Sequence, residues 1–298
     1  MNELIDYLNS QDVEYKRNVK LSQYSAISIG GVADIVIFPD TKEVFTDLLK
    51  RVSACGKPFK IVGNMSNLLM PDGRCDTVLI STRRLRDIIF FEEGARAECG
   101  ALFSAFITKA AENSLGGYEK LFAIPGTVGA MLSMNAGAYD VSASDFVSKI
   151  EIFDFRTQDV KTLDKNEIKF DYRTSSLRDE GVAVIEATFS LPKNSKENIY
   201  ASISQTRQKR IDSQPIYAKS LGSVFKRDKD YVASYLIDRA GLKGARVGGI
   251  FVSDKHAGFF VNDGTGTAAQ FKELAELVKN EVLSKFGVEL SLEVEYVE

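Results

Sequence analysis

The chain has 298 residues, is 44% hydrophobic and 27% charged, and carries a formal net charge of -3. That length suggests two domains with room for a sizeable core. The slight negative charge excludes an overall field that would gather nucleic acid or an anionic membrane. No apolar run is long enough to span a bilayer, and the polar first 20 residues contain no signal-peptide core. Three cysteines without CxxC spacing and a single histidine form neither a disulfide framework nor a zinc set, so no metal and a reducing cytosol are expected.

Residues 1–20 read as a short amphipathic helix or arm. The run Ile35–Phe38, closed by Pro39, predicts a buried strand. Asp40 or Thr41 then caps a helix carrying Val44, Leu48 and Val52, ended by Gly56. Strands are predicted at 59–63 and 77–82, separated by a polar loop that turns at Asp72-Gly73. A hairpin follows around Gly94, then a helix over 101–115 with its stop at Gly116-Gly117. Strands at 149–155 and 181–191 flank a polar segment carrying Tyr172-Arg173. Residues 192–198 read as a linker. Beyond it come a basic helix ending at Pro215, helices over 231–244 and 268–286, and a final strand over 287–297.

Small residues crowd 122–140, FAIPGTVGAMLSMNAGAYD. Pro125 stiffens the entry. The glycines permit close backbone approach, and clustered N–H groups bind phosphate. A tight packing turn under a sheet produces the same composition, so this stretch alone leaves both readings open.

Two patterns are discounted. Gly264, Gly266 and Ala269 fit G-x-G-x-x-A at a helix start, but too little chain follows for a doubly wound sheet, so a helix start with Thr capping is expected. Ser223 lies in G-S-V-F-K, which is not a nucleophile elbow, and a catalytic triad would have to use the lone His256.

The ordered set IGGVAD (29–34), VGNMSNLLMPDG (62–73), IPGTVGAMLSMNAGAY (124–139), YRTS (172–175), QP (214–215), GSVFK (222–226), AGLKG (240–244), VSDKHAGFFVN (252–262) and LSLEVEY (290–296) resembles the UDP-N-acetylenolpyruvoylglucosamine reductases, over about residues 20 to 297. Spacing after Tyr172-Arg173 is similar to the family's compact second type. The resemblance implies an α+β fold: an FAD-binding domain of the vanillyl-alcohol-oxidase type in two lobes, 1–75 and 76–195, then a substrate-binding domain, 196–298, whose last strand can return to the flavin side. It implies an NADPH-consuming, FAD-dependent enzyme that reduces an enolpyruvyl sugar nucleotide for peptidoglycan synthesis. Nucleic acid and membrane are not implied as partners, and a cytoplasmic monomer is expected.

The same resemblance assigns roles. FAD falls to Gly30, Gly31, Gly63, Asn64, Ser66, Asn67, Leu68, Pro125, Gly126, Thr127, Val128, Asn135, Ala136, Gly137 and Ala138, with backbone N–H groups of the 62–68 and 124–138 loops as phosphate donors. A hydride passes from flavin N5 to the enolpyruvyl group. Arg173 holds the substrate carboxylate. Glu293, carrying a proton, eases the charge that builds there. Ser223 supplies the proton to the adjacent carbon, while Tyr172 and Lys226 bind substrate. Met65, Ala123 and Ala130 stand where the family usually has glycine, Gly258 where it has Asn, and Arg227-Asp228 where it has Asn-Pro. Two other classes stay open on the residues alone: a flavin oxidase or dehydrogenase of the same fold, and a non-catalytic sugar-nucleotide-binding protein.

Overall fold

The computed structural model describes residues 1–178 and 181–297. The chain forms two compact units: 1–17, 35–64 and 76–208 in the first, and 18–34, 65–75 and 209–298 in the second.

Elements follow one another closely. The first twenty residues give both a helix, α1 (Asn2–Ser10), and a strand, β1 (Glu14–Lys20), where a single helix or arm was expected. Asp12 at φ 51 makes the reversal between them. Strand β2 (Val32–Phe38) contains the expected Ile35–Phe38 run. Thr41 caps α2 (Lys42–Ala54) by accepting from the Val44 N–H at 3.2 Å. Next come β3 (Phe59–Val62), β4 (Leu68–Leu69), β5 (Arg74–Cys75) and β6 (Val78–Ser81). The hairpin β7 (Ile88–Phe91) and β8 (Gly94–Glu98) precedes α3 (Phe103–Glu112) and the short α4 (Val128–Ser133).

Small hairpins follow: β9 (Gly137–Ala138) with β10 (Val141–Ser142), then the long β11 (Val147–Asp154) with β12 (Asp159–Asp164), then β13 (Phe170–Asp171) with β14 (Thr174–Ser175). Strand β15 (Val182–Ser190) leads to α5 (Lys196–Ser213). The expected linker therefore shortens at its far end, because Ser195 Oγ accepts from the Asn198 N–H at 3.2 Å and starts the helix early. The last elements are α6 (Ala233–Arg239), β16 (Arg246–Val247), β17 (Ile250–Val252), β18 (Phe260–Asn262), α7 (Ala268–Phe286) and β19 (Glu295–Tyr296). The expected final strand shrinks to these last two residues as a ladder.

In the first unit, β3, β6 and the second half of β2 run parallel, with Val62 opposite Ser81 and Val36 opposite Leu79. An antiparallel sheet has the order β12-β11-β15-β8-β7. Phe45, Phe103, Phe106, Phe153 and Phe189 fill the core that these sheets share with α2 and α3. In the second unit, Phe271, Leu274, Val278 and Val282 of α7 pack on Ile250, Val252 and Phe260 and on Val224 and Phe225. Thr267 and Gln270 form the capping box that opens α7, and the left-handed Gly287 ends it.

Candidate active site

The first unit gathers its share of the expected residues into two groups. β3 ends at Gly63, where a Cβ would fall 2.4 Å from Thr127 Oγ1, so the absence of a side chain lets these two loops meet. Asn64 is held by Arg83, whose Nη2 donates to Asn64 Oδ1 at 3.1 Å. Beside Gly63, Ser81 is only 1% exposed, and its hydroxyl has no hydrogen-bond partner among the described residues. Motif reading missed Ser81, because it sits at the end of an otherwise apolar strand.

The second group is built on turns. Tyr139 (φ 52) and Asp140 (φ 62) occupy the two-residue loop of the β9–β10 hairpin, matching the left-handed pair such a loop demands. Tyr172 and Arg173 form the two-residue loop between β13 and β14, with Arg173 at φ 56. Arg173 Nη2 donates to the Gly137 carbonyl at 2.7 Å, and its guanidinium lies 4.8 Å from the centroid of the Tyr172 ring. Asn135 ties the hairpins together, donating from Nδ2 to the Asp171 carbonyl at 3.0 Å and accepting at Oδ1 from the Ser144 N–H at 3.3 Å.

Several amides expected to face phosphate are already donating inside the fold. Gly126 N–H reaches the Ile124 carbonyl, Val128 that of Ala101, Asn135 that of Leu132 and Ala136 that of Met131, all at 2.8–3.0 Å. In the second unit, Gly31 N–H donates to the Pro71 carbonyl at 2.7 Å. A Cβ at Gly31 would fall 1.9 Å from the Gly73 carbonyl oxygen, so this glycine serves the close passage of 71–73. Of the amides expected to donate to phosphate, those of Gly126, Val128, Asn135 and Ala136 are corrected: they bond within the fold and shape the loops.

The second unit brings Ser223, Lys226, Glu293 and the loop 66–68 together. The segment carrying Ser223 lies between two others: Val224 N–H donates to the Gly258 carbonyl at 2.9 Å, and Glu293 N–H donates to the Val224 carbonyl at 2.8 Å. Lys226 N–H donates to the Ser291 carbonyl at 2.8 Å. Asn67 Nδ2 donates to the Glu293 carbonyl at 2.9 Å, and β4 runs parallel to β19 with Leu68 opposite Glu295. Ser223, Lys226 and Glu293 are all half-buried. His256 is half-buried too. Burial, with the charge of Lys243 adding to it, holds its imidazole below the ordinary histidine pKa.

FAD fits these residues. Gly63 lets its loop meet Thr127 with no side chain between them, and the buried Ser81 hydroxyl beside it has no hydrogen-bond partner among the described residues. Met65 takes the left-handed conformation, φ 48, that a glycine would take there, and its side chain is only 3% exposed, so it turns into the protein.

A model described as FAD binding domain matches residues 33–163. With the mixed helices and strands described above, this defines a flavoprotein oxidoreductase with an α+β, vanillyl-alcohol-oxidase-type FAD domain and a C-terminal domain. A second model, UDP-N-acetylenolpyruvoylglucosamine reductase, C-terminal domain, matches residues 214–297. The UDP-N-acetylenolpyruvoylglucosamine reductase of Clostridium beijerinckii is 36% identical over 284 residues, covering 95% of this chain and 93% of the relative. That of Clostridium tetani is 36% identical over 291 residues, covering 98% and 94%. The crystal structure of the Thermus caldophilus reductase aligns with a TM-score of 0.81 at 30% identity, covering 96% of this chain and 99% of that one. The chain belongs to the UDP-N-acetylenolpyruvoylglucosamine reductase family.

Proposed function

We propose that this protein reduces UDP-N-acetylenolpyruvoylglucosamine to UDP-N-acetylmuramate, using FAD and NADPH, as a step of peptidoglycan precursor synthesis that serves cell-wall formation, cell shape and division. The observation that carries this reading is full-length membership of the family together with the joining of Ser223 and Glu293 through the Glu293 N–H to Val224 carbonyl bond. FAD, when bound, supplies the hydride it has taken from NADPH.

The chain's own residues do the rest. Arg173 binds the substrate carboxylate with its planar fork; its hold on Gly137 and its place over Tyr172 orient that fork. Glu293 carries a proton toward the same carboxylate and so lowers the cost of charge building there. Ser223 holds the proton that passes to the neighbouring carbon. An alcohol is a weak acid, so this transfer depends on the fixed position that neighbouring backbone bonds give its segment. Lys226 and Tyr172 bind the sugar nucleotide. Flavin contacts are assigned to Gly63, Asn64, Ser66, Asn67, Leu68, Pro125, Thr127, Gly137 and Ala138. Gly30, Gly31, Gly126, Val128, Asn135 and Ala136 set the loop paths that carry these contacts. The functional domains are assigned as flavin lobes 1–75 and 76–195 and substrate domain 196–298. The assignment is to the cytoplasm, as a monomer that acts on a small molecule; among the described residues no helix is long and apolar enough to cross a membrane.

Absorbance spectroscopy tests the reading. The purified protein is expected to be yellow, to bleach with NADPH, and to recover without oxygen when the enolpyruvyl sugar nucleotide is added. Recovery with oxygen alone would point to an oxidase. A colourless protein that ignores added FAD would point to a sugar-nucleotide-binding protein.

A further inference from the structure

We infer that Asn67 is a positioning residue for Glu293, holding it in register with the Ser223 segment; this rests on the reading of Glu293 as the acid that serves the substrate carboxylate. The Glu293 residue is gripped from both sides of its backbone. Its N–H donates to the Val224 carbonyl at 2.8 Å, and its carbonyl accepts from Asn67 Nδ2 at 2.9 Å. One residue pair further, Glu295 N–H donates to the Asn67 carbonyl at 3.0 Å, so Asn67 grips the strand with both its side chain and its backbone. The β4–β19 ladder is only two residue pairs long, Glu295 with Leu68 and Tyr296 with Leu69. So short a ladder leaves the preceding residues to individual bonds, and the Asn67 carboxamide supplies one that acts on the Glu293 carbonyl.

The consequence is a division of labour within one loop. The side chain of Asn67 serves the acid, while flavin contact is left to the rest of the loop. Losing the carboxamide N–H lets the Glu293 backbone drift. A displacement near 1 Å costs on the order of 100-fold when a group must meet a reacting centre.

Asn67→Asp keeps the size and replaces the donor by an acceptor; Asn67→Ala removes both. For each, flavin reoxidation by the enolpyruvyl sugar nucleotide is measured beside FAD affinity and flavin reduction by NADPH, with Glu293→Gln as the comparator. Reoxidation is expected to slow by roughly 10- to 100-fold, mainly in kcat, a loss at least about ten times any loss in the other two quantities. Amide exchange is also measured on flavin-free protein, where residues 293–297 are expected to exchange faster in both variants while α7 keeps its protection. Equal losses in all three flavin measurements, or unchanged exchange at 293–297, would overturn the inference. Slow reoxidation in Glu293→Gln with normal reoxidation in both Asn67 variants would overturn the inference alone. Normal reoxidation in Glu293→Gln would remove the reading of Glu293, and the inference with it.

Discussion

The carboxylate of Asp72 sits on the first turn of α7, with Oδ1 accepting from the Ala268 N–H at 2.6 Å and Oδ2 from the Ala269 N–H at 2.9 Å. This explains why the G-x-G-x-x-A pattern at 264–269 is not a dinucleotide site. The helix end that would receive a pyrophosphate already holds an anion from the chain itself, 196 residues away in sequence from Ala268. Asp72→Ala is expected to lower stability by about 1 kcal/mol, and Asp72→Asn by less, since one acceptor remains. Denaturant unfolding checks this. An unchanged midpoint in Asp72→Ala would show that the Thr267 cap suffices alone.

Met65 and Ala123, where the family resemblance implies glycine, both take left-handed angles, φ 48 and φ 66. The two have opposite expectations on reversion. Ala123 is half-buried with almost no side chain to lose, so Ala123→Gly removes a backbone penalty of about 1–2 kcal/mol against an entropy cost of about 0.5–1 kcal/mol, and is expected to be neutral to mildly stabilising. Met65 is only 3% exposed, and losing its buried side chain costs about 2–5 kcal/mol, so Met65→Gly is expected to destabilise. Melting temperatures of the two variants, read side by side, decide it. Two shifts of the same sign would contradict the account.

Much of the fold was legible where side chains advertise burial. The apolar run Ile35–Phe38, the Thr41 cap and the 268–286 helix each follow from local chemistry. β12 was missed because it is an edge strand: Asp159, Lys161 and Asp164 give it the composition of a loop. The start of α5 at Lys196 was hidden in a polar stretch, although Ser195 three residues before Asn198 was the available signal. The alternation in 287–297 promised a long strand. Instead Leu292 bridges to Phe225, and Leu290 and Val294 enter the core, so only Glu295 and Tyr296 remain for the ladder. Within the site, residue types could be named from motifs, but their backbone commitments could not. Nothing local says that the Val128 and Ala136 amides are spent on carbonyls, or that Asn67 reaches a carbonyl 226 residues away.

Arg173 reaches its place from a left-handed backbone in a two-residue hairpin loop, a strained position of the kind that accompanies functional sites. Arg173→Lys keeps the charge and loses the planar fork. A fall on the order of 100-fold in kcat/KM for the enolpyruvyl substrate is expected, about 2.7 kcal/mol of transition-state stabilisation. Flavin reduction by NADPH should suffer less. Steady-state kinetics with each substrate varied in turn is the check, and a lysine variant with wild-type kcat/KM would remove Arg173 from the carboxylate.

His256 gives the second unit a pH dependence whose sign can be worked out. Its Nδ1 accepts from the Gly258 N–H at 3.1 Å, a bond that only the neutral ring at that nitrogen can make. Burial and the Lys243 charge lower its pKa from 6.5 in the folded protein. The unfolded chain therefore binds the proton more readily. The contribution is present in full above pH 6.5 and is lost as the pH falls through the unfolded value toward the lower folded one. Wild-type protein is expected to lose stability between pH 7.5 and 5.5, and His256→Gln, which keeps an acceptor but does not titrate, is expected to lose less over the same interval. Denaturant midpoints at the two pH values measure the difference between the slopes. Parallel slopes would mean that the imidazole titrates alike in the folded and unfolded chains, and that the Gly258 bond does not favour the neutral ring.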